Sequence, residues 1–370
     1  MPRRTGRRGI WGLAALTLAA ALGACGNDRE RVDLLVTAPR LFDGERVLSD
    51  RAVAMRGDEI VAAGEPENVV VDAARTIRLR DATLLPGLID LHTHGLGRGQ
   101  VGSIVTSVRD LGSNDVSLPL REPERGPRVF AAGPLITAPN GYPIPVQGPG
   151  VAHVVRTPAE AREYVRSLAD RGAAVIKVSL QFGFPVITFP VLRALVEEAH
   201  AQDLRITAHV GEGRGARMAL AAGVDELAHM PCDEDRELMR ALANAGMEIV
   251  ATLFVIRHVV GCPGLTENAR SFQRFGGTLL YGSDYGVPDV PAGVAVEELE
   301  LLADAGLKPV GALRAATARA GEVLGVDGLG RLAEGSPADV VAVRGDPTRR
   351  LEALQVPVLL VLRGRIELGG

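Results

Sequence analysis

From residue 126 onward the hydrophobic pattern keeps switching between two periods. Short apolar runs that suit buried strands alternate with segments of ten to fifteen residues that suit amphipathic helices. GPRVFAAGPLIT precedes TPAEAREYVRSLADRG, and AAVIKVSL precedes FPVLRALVEEAHAQ. LRITAHV leads to GRGARMALAAG, VDELAHM to DEDRELMRALANAG, MEIVATLF to ENARSFQRF, and TLLYGSDYG to VAVEELELLADAGL. Thr157-Pro158 suits a helix start, and Asp203 and Gly223 stand where helices would stop. Such a rhythm predicts a parallel sheet covered by helices. With LLPGLIDLH and SIVTSVRD ahead of them, the strands number eight, enough to close a barrel. The fold expected is α/β: a (β/α)8 TIM-like barrel. Its first crossover is abbreviated, since Gly95 to Gly102 is too short for a barrel helix. The second, LGSNDVSLPLREPERGP, carries three prolines and has room for a short helix only.

The two ends of the chain read differently. DLLVTAPRLFDGERV and RAVAMRGDEIVAAG are short strands punctuated by Asp-Gly and Arg-Gly. ADVVAVRGDP and VPVLLVLRGRIEL return to that style, so a small β-sandwich built from both chain ends is expected. The expected organisation is a leader at 1–25, sandwich strands at 26–82, the barrel at 83–330 and the rest of the sandwich at 331–370.

The leader has a basic start, MPRRTGRR, then the apolar IWGLAALTLAAALG, then LGAC. That is the grammar of an export signal. LGAC resembles a bacterial lipobox, which implies cleavage before Cys25, lipidation of its thiol and a body tethered to the cell envelope by acyl chains; ordinary signal cleavage and a short membrane anchor are the alternatives. Arg7-Arg8 leaves the Sec and twin-arginine routes both open. Cys232 and Cys262 are able to pair in an exported protein, and the sequence alone leaves that open too.

Composition narrows the function. Charged residues make up 23% and apolar residues 46%, as in soluble globular proteins. Aromatics are 4% and the net charge is −4; loss of the four leader arginines makes it −8. No basic stripe lies outside the first eight residues, so nucleic acid is not an expected partner. A small molecule is, and the oligomeric state is left open.

The chemistry sits at strand ends. Side chains alternate along a strand, so His92 and His94 share a face, with Asp90 beside them. An HxH pair alone is a weak sign of metal binding. His209 and His229, however, end the fifth and sixth expected strands, and Asp284 ends the eighth. Four of the seven histidines thus lie on the rim where such barrels do chemistry. His200 falls within a helix next to Glu197 and Glu198 and is expected to be structural; His153 and His258 are placed in loops. Lys177 is inside AAVIKVSL, a run expected to be buried on both faces. Without a partner its ammonium would be costly there, so its pKa should fall. Either it snorkels to the barrel mouth or it is a neutral amine able to take up carbon dioxide as a carbamate.

PGLIDLHTH, Lys177, His209, His229 and GSDYG together resemble the amidohydrolase superfamily. RLFDGE and GDEIVAAG before the barrel and GRLAEGSPADVVAVRGDP after it agree, so the resemblance spans nearly the whole mature chain. It is closest to imidazolonepropionase-like and Xaa-Pro dipeptidase-like members. The resemblance implies two divalent ions, zinc being the expected pair. His92, His94 and Asp284 would hold one and His209 and His229 the other, with carbamylated Lys177 bridging them. A metal-bridging hydroxide would attack a C–N bond in an amide, dipeptide or N-acyl amino acid, with Asp284 carrying the proton. Arg109-Asp110 matches the second strand of the family, and a structural ion pair is expected of it. Many relatives place a histidine in the turn after strand three; here APNGYPIP offers Tyr142 instead, as a substrate contact or as packing over the mouth. Two other readings remain: a mononuclear deaminase-type enzyme, and a non-catalytic ligand-binding lipoprotein.

Overall fold

The computed structural model describes residues 29–113, 126–262 and 264–369. The leader with Cys25, and most of the second crossover, lie outside the described residues.

The barrel strands are β1 (Leu88–Thr93), β2 (Val105–Asp110), β3 (Arg128–Ala131), β4 (Ile176–Ser179), β5 (Ile206–His209), β6 (Glu226–Leu227), β7 (Glu248–Val250) and β8 (Leu279–Leu280). Neighbours pair in parallel from β1 to β3 and from β4 to β8. A further short strand, Leu135–Thr137, continues the course of β3 and pairs with β4. The seam between β8 and β1 is closed by Leu91 N–H to Tyr281 O (3.2 Å) and Asp284 N–H to His92 O (2.8 Å). Most of these strands are buried along their whole length, because helices cover the outer face and the barrel interior encloses the inner one. The helix Pro158–Asp170 shows why the outer layer forms: the Thr157 side chain accepts from Glu160 N–H, Pro158 opens the first turn, and Ala161, Val165 and Leu168 are buried along one face. The first crossover is reduced to a single 3₁₀ turn, Arg98–Gln100.

LLPGLIDLH is not one strand. Ala82–Pro86 pairs with Val340–Arg344 in the terminal sheet, and the barrel begins only at Leu88. Gly87 makes the handover, because a Cβ there would lie 2.0 Å from Thr106 Oγ1. The terminal sheet has eight strands drawn from both chain ends. Its long first strand, Glu30–Phe42, pairs in turn with Val71–Arg78, Val47–Arg56 and Ala82–Pro86 and so folds the sheet over a core that includes Leu34, Val36, Met55, Leu84 and Val361. Arg128 Nε to Asp339 Oδ2 (3.0 Å) joins this layer to the barrel.

Candidate functional site

All six side chains singled out as ligands, together with Tyr142, line one cavity of about 460 Å3 at the C-terminal mouth of the barrel. β1 delivers His92 and His94 side by side, with ring centroids 5.4 Å apart. Asp284, just beyond β8, turns back toward them: its Oδ1 is 3.3 Å from His92 Nε2 and 3.2 Å from His94 Nε2, without a hydrogen bond to either. That approach requires Gly282, where a Cβ would sit 2.8 Å from His92 Cβ and 2.4 Å from Val250 Cγ1. His229 and His209 meet nitrogen to nitrogen, Nε2 to Nδ1, at 2.8 Å. Lys177 enters from β4, 1% exposed, its Nζ with no hydrogen-bond partner among the described residues.

Three of the four imidazoles are held by their other nitrogen. His92 Nδ1 contacts Ala228 O at 2.9 Å, His229 Nδ1 contacts Thr252 Oγ1 at 2.8 Å, and His209 Nε2 contacts Gln181 Oε1 at 3.2 Å. Thr252 Oγ1 itself donates to Ala251 O, so it accepts from His229. With the outer nitrogens protonated, the inner ones present lone pairs to the cavity. Two lone pairs 2.8 Å apart repel unless a cation lies between them or near them. Burial, together with the charge of Lys177 and neighbouring histidines, pushes the pKa of His92, His209 and His229 well below the ordinary imidazole value. Burial also pushes His94 down, but the carboxylate of Asp284 more than offsets it, and the net shift is upward. Burial brings Lys177 down to about 7.

These residues fit a divalent metal. His92, His229 and Asp284 each offer an atom within 4.8 Å of the others, all three buried. The donors are neutral nitrogens and an anionic oxygen, the set borderline cations take. A buried, partnerless amine beside them is costly as an ammonium.

Two supports have partners that the sequence did not reveal. Asp90, fully buried, accepts from His92 N–H (3.1 Å), Ser283 N–H (3.0 Å) and Ser283 Oγ (2.5 Å), fastening β1 to the turn that carries Asp284. Burial pushes its carboxyl up to about 6. Arg109 does form a buried ion pair, but its partner is Glu226 on β6, at 2.6 and 3.0 Å in a two-point contact. Asp110 instead accepts from Leu96 N–H and Gly112 N–H. Arg109 Nε also donates to Leu91 O, and Thr207 Oγ1 donates to Glu226 at 2.6 Å. One ion pair thereby ties the residue before His92, the residue two before His209 and the residue three before His229. The acid is 117 residues from its arginine, so no local pattern announces it.

Tyr142 stacks on His209, with centroids 4.5 Å apart and planes 18° from parallel. The other histidines lie outside this cavity. His200 pairs with Asp225 at 3.1 Å rather than with either adjacent glutamate. His153 belongs to a short strand, Ala152–Val154, and stacks on Tyr164. His258 lies in a helical turn, Ile256–Val260, and meets Glu297 at 2.9 Å. Cys232 and Cys262 form a disulfide between the loops that follow β6 and β7.

Comparison with known proteins agrees with this geometry. The profile of the Amidohydrolase family matches residues 100–366, a span that includes Lys177, His209, His229 and Asp284. An uncharacterized protein of Mycobacterium tuberculosis, Rv2915c, is 28% identical over 326 residues, covering 76% of this chain and 84% of that protein. Ochratoxinase of Aspergillus niger is 26% identical over 390 residues, covering 84% of this chain and 79% of that protein. Its crystal structure superposes with a TM-score of 0.79 at 22% identity, over 92% of this chain and 96% of that one. A Xaa-Pro dipeptidase crystallised with methionine in its active site gives a TM-score of 0.76 at 23% identity, over 91% of this chain and all of that one.

Proposed function

The chain belongs to the amidohydrolase family and is a metal-dependent hydrolase of carbon–nitrogen bonds; from that premise we propose that it cleaves small amides with two divalent ions held by His92, His94, Lys177, His209, His229 and Asp284. The observation that carries this reading is the meeting of all six in one cavity, with the Lys177 amine lacking a hydrogen-bond partner among the described residues. Zinc is the ion of choice for the histidine-rich set. When bound, such ions lower the pKa of water and polarise an amide carbonyl.

The residues supply the rest. The neutral Lys177 amine adds to carbon dioxide: an N–C bond forms, one C=O pair moves to oxygen, and the released proton goes to solvent. The resulting carbamate is an oxygen donor shared by the two halves of the site. His92, His209 and His229 stay neutral at working pH and do not exchange their donor nitrogens for protons. Asp284 Oδ1, facing His92 and His94, accepts the proton of the attacking water and returns it to the departing nitrogen. The Tyr142 phenol, its pKa raised by burial, stays protonated and is able to donate to the substrate oxygen.

A dipeptide or an N-acyl amino acid is the substrate class we put first, because the names of its relatives include a Xaa-Pro dipeptidase and an ochratoxinase. A screen of both classes, on protein loaded with zinc in bicarbonate, tests it. Turnover that falls about 10²–10⁴-fold in Asp284→Asn is the expected result. Full activity in that variant contradicts the assigned proton path. A one-metal enzyme is the second reading, favoured by the compact trio His92, His229 and Asp284; one ion per chain in the active protein would establish it.

We also place the enzyme outside the cytoplasm, lipid-anchored through Cys25. The Cys232–Cys262 disulfide supports export to an oxidising compartment.

A further inference from the structure

The cavity has two unlike zones. Its floor holds every ionisable group assigned above. Among the described residues its lip is mostly apolar, with Gln147 as a neutral polar member: Val146 and Val151 come from the segment after Leu135–Thr137, and Val287 comes from the loop beyond Asp284. Leu135 and Leu111 continue this surface inward and are almost wholly buried. Val146 is 63% exposed, among the most exposed large apolar side chains in the structure, although it lines the cavity. It stands on a short helix, Ile144–Gln147, that starts directly after Tyr142-Pro143. Apolar surface left in water at the entrance to a site gains free energy when a ligand covers it. A charged substituent held there would lose hydration, and the described lip residues offer it no opposite charge.

We infer that this lip is a specificity subsite, in which Val146, Val151, Val287 and Leu135 receive an uncharged aliphatic or aromatic substituent of the amide substrate. The inference rests on the metal-dependent reading above and narrows its substrates. An amide bearing a branched or phenyl group is preferred over the same amide with a short chain or a second carboxylate.

Hydroxamates test this without knowledge of the natural substrate, because they chelate the metal by one end and present a chosen group at the other. On the zinc-loaded full chain, calorimetric Kd values are compared for acetohydroxamate, 3-phenylpropanohydroxamate and succinic monohydroxamate. The phenyl compound is expected to bind about tenfold more tightly than either of the others. A Val146→Asp/Val151→Asp double variant, shown to melt like the parent, is expected to erase that preference. A ratio below fivefold in the parent, tightest binding by the carboxylate compound, or an unchanged preference in the variant overturns the inference while leaving the metal reading intact. Failure of all three to bind overturns the metal reading, and the subsite with it.

Discussion

At neutral pH the Lys177 amine is divided between two protonation states, since burial brings its pKa down to about 7. Only the neutral form attacks carbon dioxide, so the sign of the pH dependence follows directly. Below about 7 the reactive fraction falls tenfold per pH unit, and above it the fraction is nearly complete. At one fixed concentration of dissolved carbon dioxide, set by equilibration with the gas phase at each pH, recovery of activity by metal-stripped protein given zinc is therefore expected to be several-fold faster at pH 8 than at pH 6. Single-turnover assays after timed reconstitution measure it. A rate that is flat or falls with rising pH contradicts the carbamate. His92, His209 and His229 do not add a competing loss over this window, because their own values lie well below 6.5.

At the scale of elements, the site is a set of strand ends kept in register by groups beneath it. Arg109 and Glu226 are each about 1% exposed and together touch or adjoin three ligand-bearing strands. Removing one partner leaves a buried charge alone, which costs about 3–5 kcal/mol. Arg109→Met is expected to lower the unfolding free energy by that order and to weaken zinc retention in dialysis. The double change Arg109→Met/Glu226→Leu is expected to recover most of the stability but not the metal affinity. Equal metal retention in all three proteins would show that the pair supports the fold and not the site. The contrast explains what the sequence made legible. His92, His94, His209, His229 and Asp284 stand out because each ends an apolar run, and a strand's two-residue period says which way they point. Glu226 has no such mark: it is one acid in VDELAHM, and its meaning comes from an arginine on a strand four places earlier. The break at Gly87 was hidden for a similar reason, since LLP and LIDLH both read as buried strand and only their partners differ.

Across the whole molecule, strands from both ends of the described chain meet in one sheet that packs against the barrel, so the segment proposed as a leader precedes a domain that includes the late strands Pro357–Leu362 and Arg365–Leu368. Among the described residues no helix is long and apolar enough to cross a membrane. The attachment proposed here is the lipid on Cys25. Cys25→Ala is expected to move the protein from the membrane fraction to the soluble fraction of envelope extracts, with kcat/KM unchanged. Continued sedimentation with membranes contradicts the anchor. The central claim is that six side chains from the ends of five strands hold two ions, and metal content decides it most directly. Protein purified in bicarbonate and zinc is expected to carry two equivalents by mass spectrometry of the metal, and Lys177→Ala one or fewer. Two equivalents retained without the lysine, or none in the parent, would contradict the account.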